Sequence, residues 1–301
     1  MRVDQLIQLD ENKQMIEEDG DTIISHAPSM PTVKIRPSRG WSALGLRDVW
    51  EYRELLYFLI WREIRGTYRQ TALGVSWLFL RPLVNMLVLS LVFGKLIEVP
   101  SDGLPYPLFS LAALLPWGFF AGAVVRAAGS LVGNLHIISK VYFPRMLLPM
   151  AATVSGLIDF GASFLVFMVV MQFYRMPLRL EMLWLPLLMM VAIAFALAVG
   201  LWLATLSVKY RDVLFAVNFL LIALMYMSPV IYSVSLVPEP LQFLYQLNPM
   251  TGVIQGFRWA LLGSGEAPGG VFYLSIIIVL LGLISGAYVF RRTERTIVDL
   301  L

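Results

Sequence analysis

Cysteine is absent from the sequence and histidine occurs only twice, at His26 and His136. That excludes a disulfide framework and a thiolate metal site, and it leaves no pair of neighbouring imidazoles. Charge is scarce as well: 14% of the 301 residues are Asp, Glu, Lys or Arg, where a soluble domain carries about 25%. So few charges cannot cover a water-facing surface. No Gly-x-x-x-x-Gly-Lys-Ser/Thr loop occurs, and Gly94-Lys95 has neither the upstream glycine nor the following hydroxyl, so any nucleotide must be bound by another chain. No metal-ligand spacing, no Ser-His-Asp set and no close carboxylate pair stands out, which leaves no catalytic, cofactor-binding or metal-binding residues to nominate. The stretch from Met1 to Asp21 is acidic and lacks the apolar core of a signal peptide, so the start of the chain is expected in the cytosol.

What is present is apolar. Hydrophobic residues make up 58% of the chain, and mean hydropathy is +0.75. The net charge of +3 sits between apolar runs instead of in one patch, which points to membrane topology and away from nucleic acid. Residues 1–40 are polar and broken by Pro28, Pro31 and Pro37, and they read as a mobile cytosolic tail. Asp48-x-x-Glu51 has the capping-box pattern that opens a helix over 48–70. Glu51, Glu54, Arg62, Arg65 and Arg69 share one side of that helix, and Val49, Tyr52, Leu56, Leu59, Ile60 and Ile64 the other, as in an amphipathic helix lying in the membrane interface.

Six runs are long enough to cross a bilayer core, which takes about 20 apolar residues. They cover 73–94, 104–125, 146–174, 182–208, 213–233 and 271–290. Basic residues flanking them number eleven on the side shared with the N-terminus and four on the other (Lys95, Arg175, Arg179 and Arg258), so both termini are expected in the cytosol. The segment 234–270 is broken by Pro238, Pro240, Pro249 and a Gly/Pro-rich end. It is too interrupted to span and fits short re-entrant helices on the outer face. The expected fold class is therefore an all-α integral membrane protein with six transmembrane helices, a preceding interfacial helix and outer re-entrant helices before the last span.

Several short motifs then line up in order: Trp61-Arg62-Glu63-Ile64-Arg65, Tyr68-Arg69-Gln70-Thr71-Ala72-Leu73-Gly74, Leu115-Pro116-Trp117, Lys140-Val141-Tyr142-Phe143-Pro144-Arg145, Lys209-Tyr210-Arg211-Asp212, Ser228-Pro229-Val230 and Asn248-Pro249-Met250. Over 41–301 this set resembles the ABC-2-type permeases that export bacterial polysaccharides such as O-antigen, capsule and teichoic acid. The resemblance implies a homodimer working with two copies of a separate ABC ATPase. ATP and magnesium would be bound on that partner, and a lipid-linked polysaccharide would cross the cytoplasmic membrane. It also implies a cytosolic coupling helix that fits a cleft of the ATPase. We carry that role to the loop 129–149, with Asn134, His136, Lys140, Tyr142, Phe143 and Arg145 as its candidate residues; an ordinary basic loop obeying the positive-inside rule is the simpler alternative.

Two charges fall inside the runs. A carboxylate such as Asp159 within a span costs about 2.5–3.5 kcal/mol on insertion scales; pairing with Arg81 or Arg126 would offset it, and proton coupling is the sharper alternative, against which the lack of a second acid within the runs argues. Arg81, near an end of its run, can instead snorkel to the headgroups. Phe215, Phe219, Ile222 and Tyr226 recur at spacings of four, three and four, so they share a helix face. Rings there would stack weakly on many sugar units in turn, and packing between helices or contact with lipid is the plainer reading. Trp77 and Trp117 are expected as interfacial anchors. Gly118/Gly122, Gly129/Gly133 and Gly282/Gly286 carry the spacing that permits close helix approach. Two other functions share much of this pattern: an ABC-2 exporter of drugs or small lipids, and an ATP-independent membrane enzyme of envelope synthesis.

Overall fold

The computed structural model describes residues 46–68, 74–265 and 267–297. The expected tail 1–40, the motif residues 69–73 and the last residues lie outside that set. Among the described residues every regular element is helical. Helix α1 (Leu46–Glu51) leads into α2 (Arg53–Tyr68), then α3 (Trp77–Leu89), which is continued by a π-helical turn over Ser90–Leu96. Next come α4 (Tyr106–Gly129) and the short α5 (Leu135–Ile138), followed by α6 (Leu147–Ser155) and α7 (Leu157–Phe173), which are separated at Gly156. The chain closes with α8 (Leu185–Lys209), α9 (Asp212–Tyr226), α10 (Glu239–Gln246), α11 (Pro249–Leu262) and α12 (Gly270–Ile297).

Among the described residues five stretches are long and apolar enough to cross a membrane: Gly74–Leu96, Tyr106–Gly129, Leu147–Phe173, Leu180–Lys209 and Phe272–Glu294. The expected run at 213–233 differs. Its helix ends at Tyr226 after 15 residues, about 22 Å at 1.5 Å per residue, short of the ~30 Å hydrocarbon core. The remainder of that run holds Ser228-Pro229, and proline both lacks the N–H that would continue the ladder and restricts the residue before it.

Helix α4 is the hub. Pro105 precedes it and Pro107 occupies its first turn, where a missing N–H costs nothing. Phe109, Leu111, Ala112, Phe120, Ala123, Val124 and Ala127 are each 1% exposed or less. Helices α3, α6, α7, α8 and α11 all pack on it. Trp117, expected as an anchor near a membrane face, is instead 5% exposed at mid-helix, with its ring centroid 5.6 Å from that of Phe120. Trp77 is exposed.

Helix α12 lies along α8, and here one of the three glycine pairs does what its spacing permits. A Cβ at Gly286 would come within 2.9 Å of the Ala198 carbonyl oxygen, and one at Gly282 within 3.5 Å of Ala198 Cβ. Gly118 and Gly133 face open space, so the other two pairs are not helix contacts within this chain.

The two segments expected to flank the spans are both helical. Helix α2 packs on α6, and Leu59 inserts beside Leu147, Leu148 and Phe290 in a second apolar cluster. Its other side leaves Tyr57, Phe58 and Trp61 exposed. Between α9 and α12 the chain makes α10 and α11. Asn248 caps α11, accepting from the Met250 amide at 3.1 Å, Pro249 takes the first helical position, and Gly263 ends the helix at φ 72°. That combination closes both ends of a short helix within 14 residues.

Candidate functional site

The loop that follows α4 is held on three sides. Arg62 of α2 donates to the Asn134 side-chain oxygen, and Asn134 in turn donates to the Ser130 carbonyl at 2.7 Å. At the far end of the loop, Arg145 engages α12 twice: its backbone amide donates to Glu294 Oε1 at 3.1 Å and its Nη1 to the Glu294 carbonyl at 2.9 Å. Between these clasps Ile138 and Phe143 turn inward, Phe143 being 5% exposed among Leu131, Met146 and Phe290. His136, Lys140, Val141 and Tyr142 turn outward, with Tyr142 80% exposed. The six candidate residues therefore divide: Asn134, Phe143 and Arg145 fasten the loop, and His136, Lys140 and Tyr142 are the ones a partner could touch. Alternation in a short irregular loop does not reveal which aromatic turns inward, so the sequence could not separate Tyr142 from Phe143.

Deeper in the bundle, Arg126 Nη1 donates to Asp159 Oδ2 at 3.0 Å, and Nε donates to the Ala152 carbonyl at 3.3 Å. The pair joins α4 to α7, with side chains 20% and 31% exposed. Gly156 makes room for it, since a Cβ there would stand 2.2 Å from Arg126 Nη2. Arg81 is exposed and forms no ion pair among the described residues. Of the two partners open to Asp159, Arg126 is the one brought within reach.

Phe215, Phe219, Ile222 and Tyr226 project from one face of α9 and are 79%, 73%, 58% and 53% exposed. The opposite face supplies Val217 and Leu221 to the core. Among the described residues the rings of Phe215 and Phe219 are largely uncovered, so packing within the described bundle does not account for them.

The residue that sequence reasoning missed is Arg258. Counted there as a flanking charge, it is 4% exposed. Its Nη2 donates to the Val230 carbonyl at 2.9 Å, Nη1 to that of Tyr232 at 3.3 Å and Nε to that of Phe109 at 3.4 Å. The guanidinium lies 3.5 Å from the Phe109 ring centroid. It pins the irregular segment after α9 to both α4 and α11, and Tyr106 adds a hydrogen bond to the Ile231 carbonyl at 2.7 Å. Asn248 Nδ2 donates to Ser228 Oγ at 2.9 Å, so the Ser-Pro-Val and Asn-Pro-Met motifs meet in space. A lone arginine inside Gly256-Phe257-Arg258-Trp259-Ala260 was the available signal, because a charge in an apolar run is buried only with partners.

Comparison with known proteins follows from this frame. The family model described as ABC-2 type transporter matches residues 54–262, which is most of the described bundle. The chain belongs to the ABC-2 type transporter family. Among curated relatives of this ABC-2 chain, the O-antigen export system permease protein RfbA of Myxococcus xanthus is 28% identical over 83% of this chain and 96% of its own length. An RfbA of Klebsiella pneumoniae is 24% identical over 76% and 90%. The polysialic acid transport protein KpsM of Escherichia coli is 21% identical over 78% and 92%. All are named as transport proteins, in keeping with a membrane transporter and not an enzyme. The matched region of this ABC-2 chain includes the loop 129–149, the Arg126–Asp159 pair, the α9 stripe and Arg258.

Proposed function

We propose that this chain is the permease subunit of an ATP-driven exporter that moves a lipid-linked polysaccharide across the cytoplasmic membrane, as a homodimer bound to two separate ATPase subunits. The supporting observation is the loop 129–149, whose Lys140-Val141-Tyr142 tip is exposed while Arg145, Phe143 and Asn134 tie its base to α12, α6 and α2. A push on the tip then reaches three elements at once. ATP sites on the partner supply the bias, because binding shifts an equilibrium only through different affinity for its two states. The α9 rings, unpacked in one protomer, line the path between two.

In this reading α2 lies in the interface, α9 forms a sixth, shorter span with the segment after it, and α10 and α11 are re-entrant. Residues 1–40 form a cytosolic tail, 41–301 form the permease domain, and both termini are cytosolic. Relatives named for O-antigen export and polysialic acid transport favour a glycan over a drug or small lipid. The test is depletion of this chain in its host. Lipid-linked glycan should accumulate inside and disappear from the surface, with both reversed by a restored copy; unchanged surface glycan would refute the proposal.

A further inference from the structure

At the end of the bundle opposite the coupling loop, about 36 Å away along the 24 residues of α4, lies a cavity of about 490 Å³ between α10, α11, the turn before them and the start of α12. Its size falls in the ~300–1,000 Å³ range of small-molecule sites. Two elements contribute three amides to it: Gln242 and Gln246 from α10, one turn apart, and Gln255 from α11. Gln242 Nε2 donates to the Val237 carbonyl at 2.9 Å. The amides of Gln246 and Gln255 have no partner among the described residues, although both side chains are half-buried. Each therefore offers a donor and an acceptor to whatever enters.

The charge balance restricts the occupant. Among the described lining residues Asp102 is the carboxylate, and it accepts from Ser233 at 2.8 Å, Ser264 at 3.4 Å and Ser235 at 3.5 Å. Arg258 lines the cavity too, but each of its three nitrogens already donates to a backbone carbonyl and its face rests on Phe109. Among the described residues the lining holds one carboxylate, Asp102, and one guanidinium, Arg258, so its charges balance and no cluster of cations is present to hold a phosphate. The amides of Gln246 and Gln255, a carboxylate and serine hydroxyls match a ligand that is neutral and rich in hydroxyls.

We infer that this cavity binds a neutral sugar unit of the exported glycan, holding the chain as it leaves the path. The inference rests on the export reading and adds a site to it. Because the side chains of Gln246 and Gln255 make no hydrogen bonds among the described residues, replacing them tests binding without dismantling the fold.

The experiment uses the full chain with its ATPase in cells, carrying the photoreactive residue benzoylphenylalanine at position 246 or, separately, at 219 on the α9 stripe. After illumination, adducts are read as a periodate-reactive ladder on the purified permease. A ladder from position 246 is expected, together with severalfold slower export by a Gln246→Leu, Gln255→Leu double variant at unchanged membrane abundance. If cells lacking this chain export glycan as well as cells containing it, the export reading itself fails. If export depends on the chain and position 246 yields no ladder, or the double variant exports at the normal rate, the cavity's role is overturned and the export reading stands.

Discussion

Arg126 and Asp159 join the second and third long helices through one 3.0 Å contact between Nη1 and Oδ2. With a fifth to a third of each side chain exposed, the pair belongs between the ~0–1 kcal/mol of a surface ion pair and the ~3–5 kcal/mol lost when a buried pair is broken. Asp159→Leu should thus cost about 2 kcal/mol of stability, and adding Arg126→Met should restore much of it. Thermal unfolding of the purified variants checks this. A proton-relay role predicts instead that Asp159→Asn abolishes transport at normal stability; the pairing account predicts that Asn, which still accepts from Arg126, keeps most of the transport.

Tyr142 and Phe143 are neighbours in sequence and opposites in environment, at 80% and 5% exposure. Tyr142→Glu should leave folding and membrane abundance intact while uncoupling ATP hydrolysis from export. Phe143→Glu should lower abundance, since it places an unpaired carboxylate in an apolar cluster. Equal loss of abundance in both variants would contradict the division of this loop into tip and base.

The α9 stripe gives a prediction about what does not change. A well-buried Phe→Ala costs about 3–5 kcal/mol, but Phe215 and Phe219 are more than 70% exposed. Phe219→Ala should therefore leave the stability of the protomer nearly unchanged and slow the export of long glycans, whereas Phe219→Trp should export better than alanine. Stability loss on the buried scale, with normal export per folded transporter, would show that the rings serve assembly and not the path.

The absence of cysteine makes topology directly testable. Ala267→Cys and Asp212→Cys introduce exposed thiols with no native background. The first should react with an impermeant maleimide added from outside, and the second only after the membrane is opened. Labelling of both from outside would reverse the proposed orientation.

Much of the fold was legible because a span announces itself by length and hydropathy alone. The five long helices follow from that, the pre-span helix from its capping box and two-sided spacing, and the break between 234 and 270 from its prolines and glycines. What was not legible is which way each apolar side chain turns. In water one helix face is polar and the other apolar, but in lipid the core-facing and lipid-facing surfaces are both apolar. Trp117 and Trp77 therefore look alike in sequence, and so do Leu221 and Phe219, yet the first of each pair is buried and the second exposed. Arg258 was missed for a different reason. Its partners are backbone carbonyls at 109, 230 and 232, and carbonyls leave no mark on a sequence.

The central claim is that this chain, with a separate ATPase, carries a lipid-linked polysaccharide. Proteoliposomes holding the permease and its co-purified ATPase, with lipid-linked glycan extracted from the host placed in the ATP-facing leaflet, test it most directly. The measurement is the amount of glycan that becomes protected from a glycosidase on the ATP side. The account predicts that protection rises with ATP, fails with a non-hydrolysable analogue, and falls in the Tyr142→Glu variant while hydrolysis continues. ATP hydrolysis at full rate by the wild-type complex with no glycan protected would contradict it.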